Sequence, residues 1–197
     1  MDNFLTYTDF SGLIIFDTES ESSKAFLNDV IADVQKRILI DLLGYDLYLQ
    51  FETGLSAGSP DQKWLDLRDG ANFSSTYENI SYTLHFGGVK QMLKLFTAFY
   101  YQVAISNKMT FAGQVQNVFE NSKVVNQNIN IIKNYNKAID FYGFAYDNEN
   151  VEILTNVYFE SKRQRLLDSC FNFIYTKNES DSTTYTNWIF KPKTYIF

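Results

Sequence analysis

A single run of apolar residues does most to limit what this chain can become. Val125, Ile129, Ile132, Tyr135, Ile139 and Tyr142 follow one another at steps of 4, 3, 3, 4 and 3. An α-helix turns once every ~3.6 residues, so this series lines one face of a helix and asks for an apolar partner. The spacing predicts a helix from about Glu120 to Tyr142, ending near Gly143. The same pattern recurs in Leu27, Val30, Ile31, Val34, Ile38 and Leu42, and again in Val89, Met92, Leu93, Phe96, Phe99, Tyr100 and Val103. Several long amphipathic helices in 197 residues describe a helical bundle around one core.

Punctuation sets the boundaries. Asp17 to Ser23 is a polar cluster of cap residues and acids, which suits a helix start because free N–H groups and the helix dipole favour oxygen and negative charge. The first helix is expected over Glu21–Leu43, stopped by Gly44. A shorter helix follows from Tyr45 to about Phe51, with Gly54 to Gly58 as a loop. Ser59-Pro60 reads as an N-cap followed by proline at the first helical position, opening a helix over Pro60–Asp69 that ends at Gly70. Gly87-Gly88 opens the helix from Val89 to about Ser106, and a further helix is expected from Glu149 to about Leu166.

Two segments lose helical spacing. Tyr82-Thr83-Leu84-His85-Phe86 alternates strand-forming residues, and Asn72-Phe73-Ser74 is placed to pair with it, so a β-hairpin or ordered loop is expected near 71–87. From Cys170 onward, Phe171-Asn172-Phe173-Ile174-Tyr175 and later Tyr185 to Phe190 also alternate, which predicts a C-terminal β-hairpin. The expected fold is therefore mostly α: about five to six helices, a β insertion and a C-terminal β segment. The expected organisation is a helical domain over 1–170 with an extended N-terminal arm, and a β-hairpin arm over 171–197.

Composition then removes function classes. One His and one Cys cannot build a Cys2His2 zinc site, a two-His metal centre or an internal disulfide. His85 has no nucleophile elbow near it, and no phosphate-binding glycine loop or His-Glu-x-x-His motif occurs. Asp66 and Asp69 share a helical face, as solvated acids commonly do. No catalytic, cofactor-binding or metal-ligating residue is assigned, and the expectation is a protein without enzymatic activity. The most apolar stretch, Phe96–Ile105, is too short to span a bilayer, which needs ~20 residues. The first residues lack the basic and apolar regions of a secretory leader, and a lone Cys170 fits a reducing compartment.

Charge is uneven. Residues 1–69 carry 13 acids and 5 bases, net −8, whereas residues 70–197 carry 10 acids and 12 bases, net +2. In an oligomer, an acidic face of one subunit could meet a basic face of the next. The one charge run worth naming is Lys162-Arg163-Gln164-Arg165. Lys162, Arg163 and Arg165 either contact phosphate or an acidic partner, or complement the dipole at a helix C-terminus. Aromatics make up 17% of the chain, and those least easily absorbed by helical stripes are Tyr82, Leu84's neighbour Phe86, Trp188, Phe190, Tyr195 and Phe197. With Leu84, these form the candidate interface set; burial in the subunit's own core is the alternative.

A family resemblance adds to this reading. Val34 to Tyr48, Val-Gln-Lys-Arg-Ile-Leu-Ile-Asp-Leu-Leu-Gly-Tyr-Asp-Leu-Tyr, resembles a signature of the head–tail connector (adaptor) proteins of tailed bacteriophages. Trp64 to Gly70, Phe86 to Leu93, Tyr100-Tyr101, Thr110-x-x-Gly113 and Glu120-Asn121-Ser122 follow in the family's order. The likeness covers roughly residues 20–145 and is similar to connectors of Bacteroides phages, including crAss-like phages. The segment from Cys170 departs from it. The resemblance implies a virion protein made in the host cytoplasm and placed at the head–tail neck. It implies a homo-oligomeric ring, commonly of twelve copies, below the portal protein. Such a ring meets other neck or tail proteins and carries genomic DNA through its channel without specific binding, cofactor or membrane. An acidic lumen would let DNA slide. Another neck, tail-completion or scaffold protein would share these features. A carboxylate-only metal-dependent nuclease is the competing enzyme class.

Overall fold

The computed structural model describes residues 4–11, 13–14, 19–77, 80–106, 109–110, 113–114, 127–143, 145–146, 168–186, 188 and 193–194. A 3-10 turn over Tyr7–Phe10 leads to α1 (Glu21–Leu43), α2 (Tyr45–Ser56) and α3 (Gln62–Asp69). An antiparallel hairpin of β1 (Ala71–Tyr77) and β2 (Ile80–Phe86) separates these from α4 (Gly88–Ser106). Then come β3 (Met109–Thr110) with β4 (Gly113–Gln114), α5 (Gln127–Tyr142), β5 (Ala145–Tyr146), α6 (Cys170–Ser180) and β6 (Lys193–Thr194). The architecture is mostly helical with a small antiparallel insertion, as the stripes and punctuation require.

α1 starts where the cap cluster places it. The Ser20 hydroxyl accepts from the Ser23 amide at 3.3 Å, and Lys24 pairs with Glu21 at 2.7 Å. Leu27, Ile31, Val34, Ile38 and Leu42 are buried along one stripe. Gly44, at φ +75°, turns the chain directly into α2 with no intervening loop. α2 continues through Ser56, past the loop expected at Gly54. At Gly54 an added Cβ would collide with the Trp64 indole, so packing of Trp64 against bare helix backbone outweighs glycine's low helix propensity. α3 begins at Gln62 after an Asp61 N-cap, two residues later than Pro60. The Asp61 carbonyl accepts from the Trp64 amide at 3.0 Å, making it the first helical acceptor.

α4 is the central element. Val89, Met92, Leu93, Leu95, Phe96, Ala98 and Tyr101 are all buried, covering nearly the whole circumference, as expected of a helix surrounded by others. It packs against α1, α3 and α5. Arg37 of α1 lies over the Tyr100 ring at 4.1 Å, and Tyr135 of α5 meets Phe96 and Phe99 at 5.4 and 4.9 Å between ring centroids. The first part of the expected α5, residues 120–126, and the whole helix expected at 149–166 lie outside the described residues.

The C-terminal expectation needs correction. Residues 170–180 form a helix, not the first strand of a hairpin. The buried residues are Cys170, Phe173 and Ile174, spaced i, i+3, i+4, and Ser169 caps the helix by accepting from the Asn172 amide at 3.2 Å. The alternating Phe171, Phe173 and Tyr175 misled because they divide differently: Phe173 points inward, whereas Phe171 and Tyr175, one turn apart, stack on each other. Phe173, Cys170, Ile174 and Trp188 belong to the same core as the other helices, so this stretch is part of the body and not a separate arm. β structure does occur near the end, where β6 pairs in parallel with β5.

Candidate functional site

The hairpin is built from a closed neck outward. Gly70, at φ +99°, and Gly88, at φ +79°, lie back to back. A Cβ on Gly70 would strike the Phe86 carbonyl, and one on Gly88 would strike the backbone of Arg68 to Gly70. The end of α3 and the start of α4 therefore touch, and everything between them leaves and returns through one point. The register pairs Ala71 with Phe86, Phe73 with Leu84 and Ser75 with Tyr82, closing at Tyr77 and Ile80.

The pleat sorts the side chains. Asn72, Ser74, Ser81, Thr83 and His85 are exposed. His85 Nδ1 lies 2.9 Å from Asn72 Oδ1 in a cross-strand pair, a satisfied strand histidine. On the other face, Phe86 is fully buried and stacks on Phe173 of α6 at 4.6 Å, and Phe73 meets the same ring edge-on at 5.4 Å. Leu84 is half-buried and Tyr82 is 36% exposed. Burial thus falls along β2 from base to tip.

This divides the interface candidates. Tyr82 is exposed and Leu84 is half-buried, so both keep surface open to solvent. Phe86 and Trp188 do not: Trp188 is buried, stacked on Trp64 at 5.6 Å with Tyr185 edge-on at 4.7 Å. Aromatic pairs gain from such packing, so these rings are structural anchors. Phe190, Tyr195, Phe197, Lys162, Arg163 and Arg165 lie outside the described residues.

Sequence reasoning missed a second surface. A groove of about 320 Å³ lies between α1 and α2, with Ala32, Gln35, Tyr48 and Glu52 in its lining and Tyr45 and Leu49 at its mouth. Tyr45 is 60% and Leu49 40% exposed, among the largest apolar exposures in the described residues. The signal was present in the spacing: Tyr45 and Leu49 are one turn apart and off the buried stripe of Leu47, Tyr48 and Phe51.

Chemistry-bearing groups are occupied elsewhere. Asp66 accepts from Gln62 at 2.7 Å and Asp69 pairs with Arg68 at 2.6 Å. Burial pushes the Cys170 thiol well above its ordinary value, which keeps it protonated and unreactive. Among the described residues, no group of three potential ligands is arranged to hold a metal ion, and no helix is long and apolar enough to cross a membrane. No protein-family model matches the chain, and neither the curated proteins nor the solved structures contain a match to it.

Proposed function

We propose that this protein is a head–tail connector of a tailed bacteriophage, a structural subunit that forms a ring below the portal, joins capsid to tail and surrounds the DNA channel. The observation that carries the reading is the ordered series of connector-like motifs in the sequence. Support comes from where those motifs fall. Leu42-Leu43-Gly44-Tyr45 forms the corner between α1 and α2. Trp64 to Gly70 is α3 with the first half of the glycine neck, and Phe86-Gly87-Gly88 is its second half with the start of α4. Motifs that recur in order are expected at such corners, because a bend or close backbone approach restricts residue choice more than a helix surface does.

Its work is structural and not catalytic in this reading, and its partners are further copies, the portal protein and other neck or tail proteins. A net charge of −6 disfavours retention of DNA, so the genome passes without specific binding. A ring needs heterologous contacts, one patch meeting a different patch.

Cryo-electron microscopy of virions from the phage that encodes this chain tests the proposal. The expected result is this fold as a symmetric ring between portal and tail. Its presence elsewhere in the particle removes the channel role, and its absence from the particle overturns the proposal.

A further inference from the structure

We propose that the outer edge of β2 pairs with β2 of a second copy of this chain, antiparallel and centred on Thr83, joining two hairpins into a four-stranded sheet. The inference goes beyond the ring reading and does not draw on it. Ring neighbours meet through unlike patches, whereas this contact is two-fold and closes at two copies.

In an antiparallel pair, every second residue of an outer strand turns its N–H and C=O away from its partner, which makes the edge a template for a further strand. Among the described residues, β1 is the one strand beside β2. Proteins guard such edges with charge, proline, a bulge, a very short strand or a covering element. Among the described residues β2 has none of these. It runs seven residues, Ile-Ser-Tyr-Thr-Leu-His-Phe, without Asp, Glu, Lys, Arg or Pro, and its register with β1 is unbroken. Ser81, Tyr82 and Thr83 are all exposed. Successive side chains point to opposite faces, so both faces of this stretch are uncovered.

Charge and side-chain order select a second copy. Residues 1–69, which include α1 to α3, carry net −8, so copies that approach through those helices bring like charges together. β1 and β2 carry no carboxylate or ammonium group, and they leave the body at one point, the Gly70–Gly88 neck. Antiparallel pairing sets the two bodies at opposite ends of the shared sheet, because seven residues span about 24 Å. A register centred on Thr83 places Thr83 opposite its own copy and Tyr82 opposite Leu84 on both sides of the two-fold axis. Apolar side chains then meet on one face and hydroxyls on the other. Hydroxyl pairs across strands are favourable, and the Tyr82–Leu84 pairs cover apolar surface that one copy leaves open. A strand with a charge at the central position has no such fit to itself, since like charges directly opposite are destabilising.

Sedimentation velocity on the full chain tests the contact. The wild-type chain is expected to form a species of two copies as its concentration rises. Thr83→Lys sets two ammonium groups face to face, Thr83→Glu two carboxylates, and each is expected to weaken pairing by about tenfold or more. Mixing the two variants is expected to restore it, because each lysine then faces a glutamate. Thr83 is exposed, so these changes leave the fold intact, which circular dichroism checks. Under mild oxidation Thr83→Cys is expected to give a disulfide-linked dimer. Residues directly opposite in an antiparallel pair have Cα atoms about 4.5–5.5 Å apart, within disulfide reach. Ser74, the neighbour of Thr83 on β1, is also exposed but lies three strand spacings, about 14 Å, from its own copy. Ser74→Cys is therefore expected to stay unlinked, and the buried Cys170 does not compete. A wild-type chain that stays monomeric, with no dimer from Thr83→Cys, overturns the contact, as does association that ignores Thr83→Lys. Either result leaves the ring reading standing, since that is decided by position in the virion, and absence from the virion leaves this contact standing.

Discussion

Replacing Phe173 by alanine tests whether the C-terminal stretch belongs to the core. The Phe173 ring is fully buried and is shared by the hairpin and α6, touching Phe86 at 4.6 Å and Phe73 at 5.4 Å. Truncating a buried phenylalanine removes its transfer free energy and leaves a cavity, together about 3–5 kcal/mol. In a domain of this size each kcal/mol moves Tm by about 2–4 °C, so a fall of about 6–20 °C is expected. Urea unfolding followed by tryptophan fluorescence reads the change, with Trp64 and Trp188 reporting on the same core. Amide hydrogen exchange adds locality, because the base of β1 and β2 loses its packing partner. Tyr175→Ala is the control: it sits two residues along the same helix, is half-exposed, and among the described residues is tied to Glu179 at 2.7 Å and to Phe171. It should cost well under about 1 kcal/mol. If Phe173→Ala costs no more than the control, residues 170–180 form a detachable arm and the packing argument fails.

Three further outcomes follow from the same structure. Gly88→Ala should destabilise by at least about 2 kcal/mol, because a side chain at φ +79° is strained and its Cβ overlaps the Arg68–Gly70 backbone; near-neutral urea unfolding would show that the neck opens freely. Thr97→Val should be neutral or stabilise by up to about 1 kcal/mol, since the buried Thr97 hydroxyl has no hydrogen-bond partner among the described residues; a loss above about 1 kcal/mol in the same assay would reveal one. Cys170 has a folded pKa raised by burial above its ordinary value of 9.0, so its contribution is complete below that value. As pH rises past it, the unfolded thiol loses its proton first and stability falls, with a limiting slope of about 1.4 kcal/mol per pH unit. The slope between pH 9 and 10 should be shallower in Cys170→Ala, and an unchanged slope would contradict the burial.

The helical body was legible because its signals are local. The stripe from Leu27 to Leu42, the Ser20 cap region and the Gly44 corner each follow from spacing or from one backbone requirement. The hairpin was legible from alternation around Leu84. What escaped depended on contacts between distant residues. Gly54 reads as a loop until Trp64 is laid against it. Phe171, Phe173 and Tyr175 alternate like a strand, and the decision falls to Cys170 and Ile174, whose burial completes a helical stripe against the hairpin. Phe86 and Trp188 were expected at an interface, yet each found an aromatic partner inside the body, Phe173 and Trp64. The α1–α2 groove was missed for the opposite reason. Tyr45 and Leu49 lie one turn apart, yet two residues make no stripe, and only the burial around them makes their exposure conspicuous.

The glycine neck makes the hairpin an appendix in the topological sense. Its two ends leave the helical body at one point, so α3 and α4 keep their contact whatever lies between them. Strand pairs can be added or deleted there, lengthening or shortening the projection by about 6.8 Å per two residues in each strand, while the core spacing stays fixed. Reach and stability are thereby set by separate stretches of sequence, and the tip can change to suit a partner without rebuilding the body that holds it.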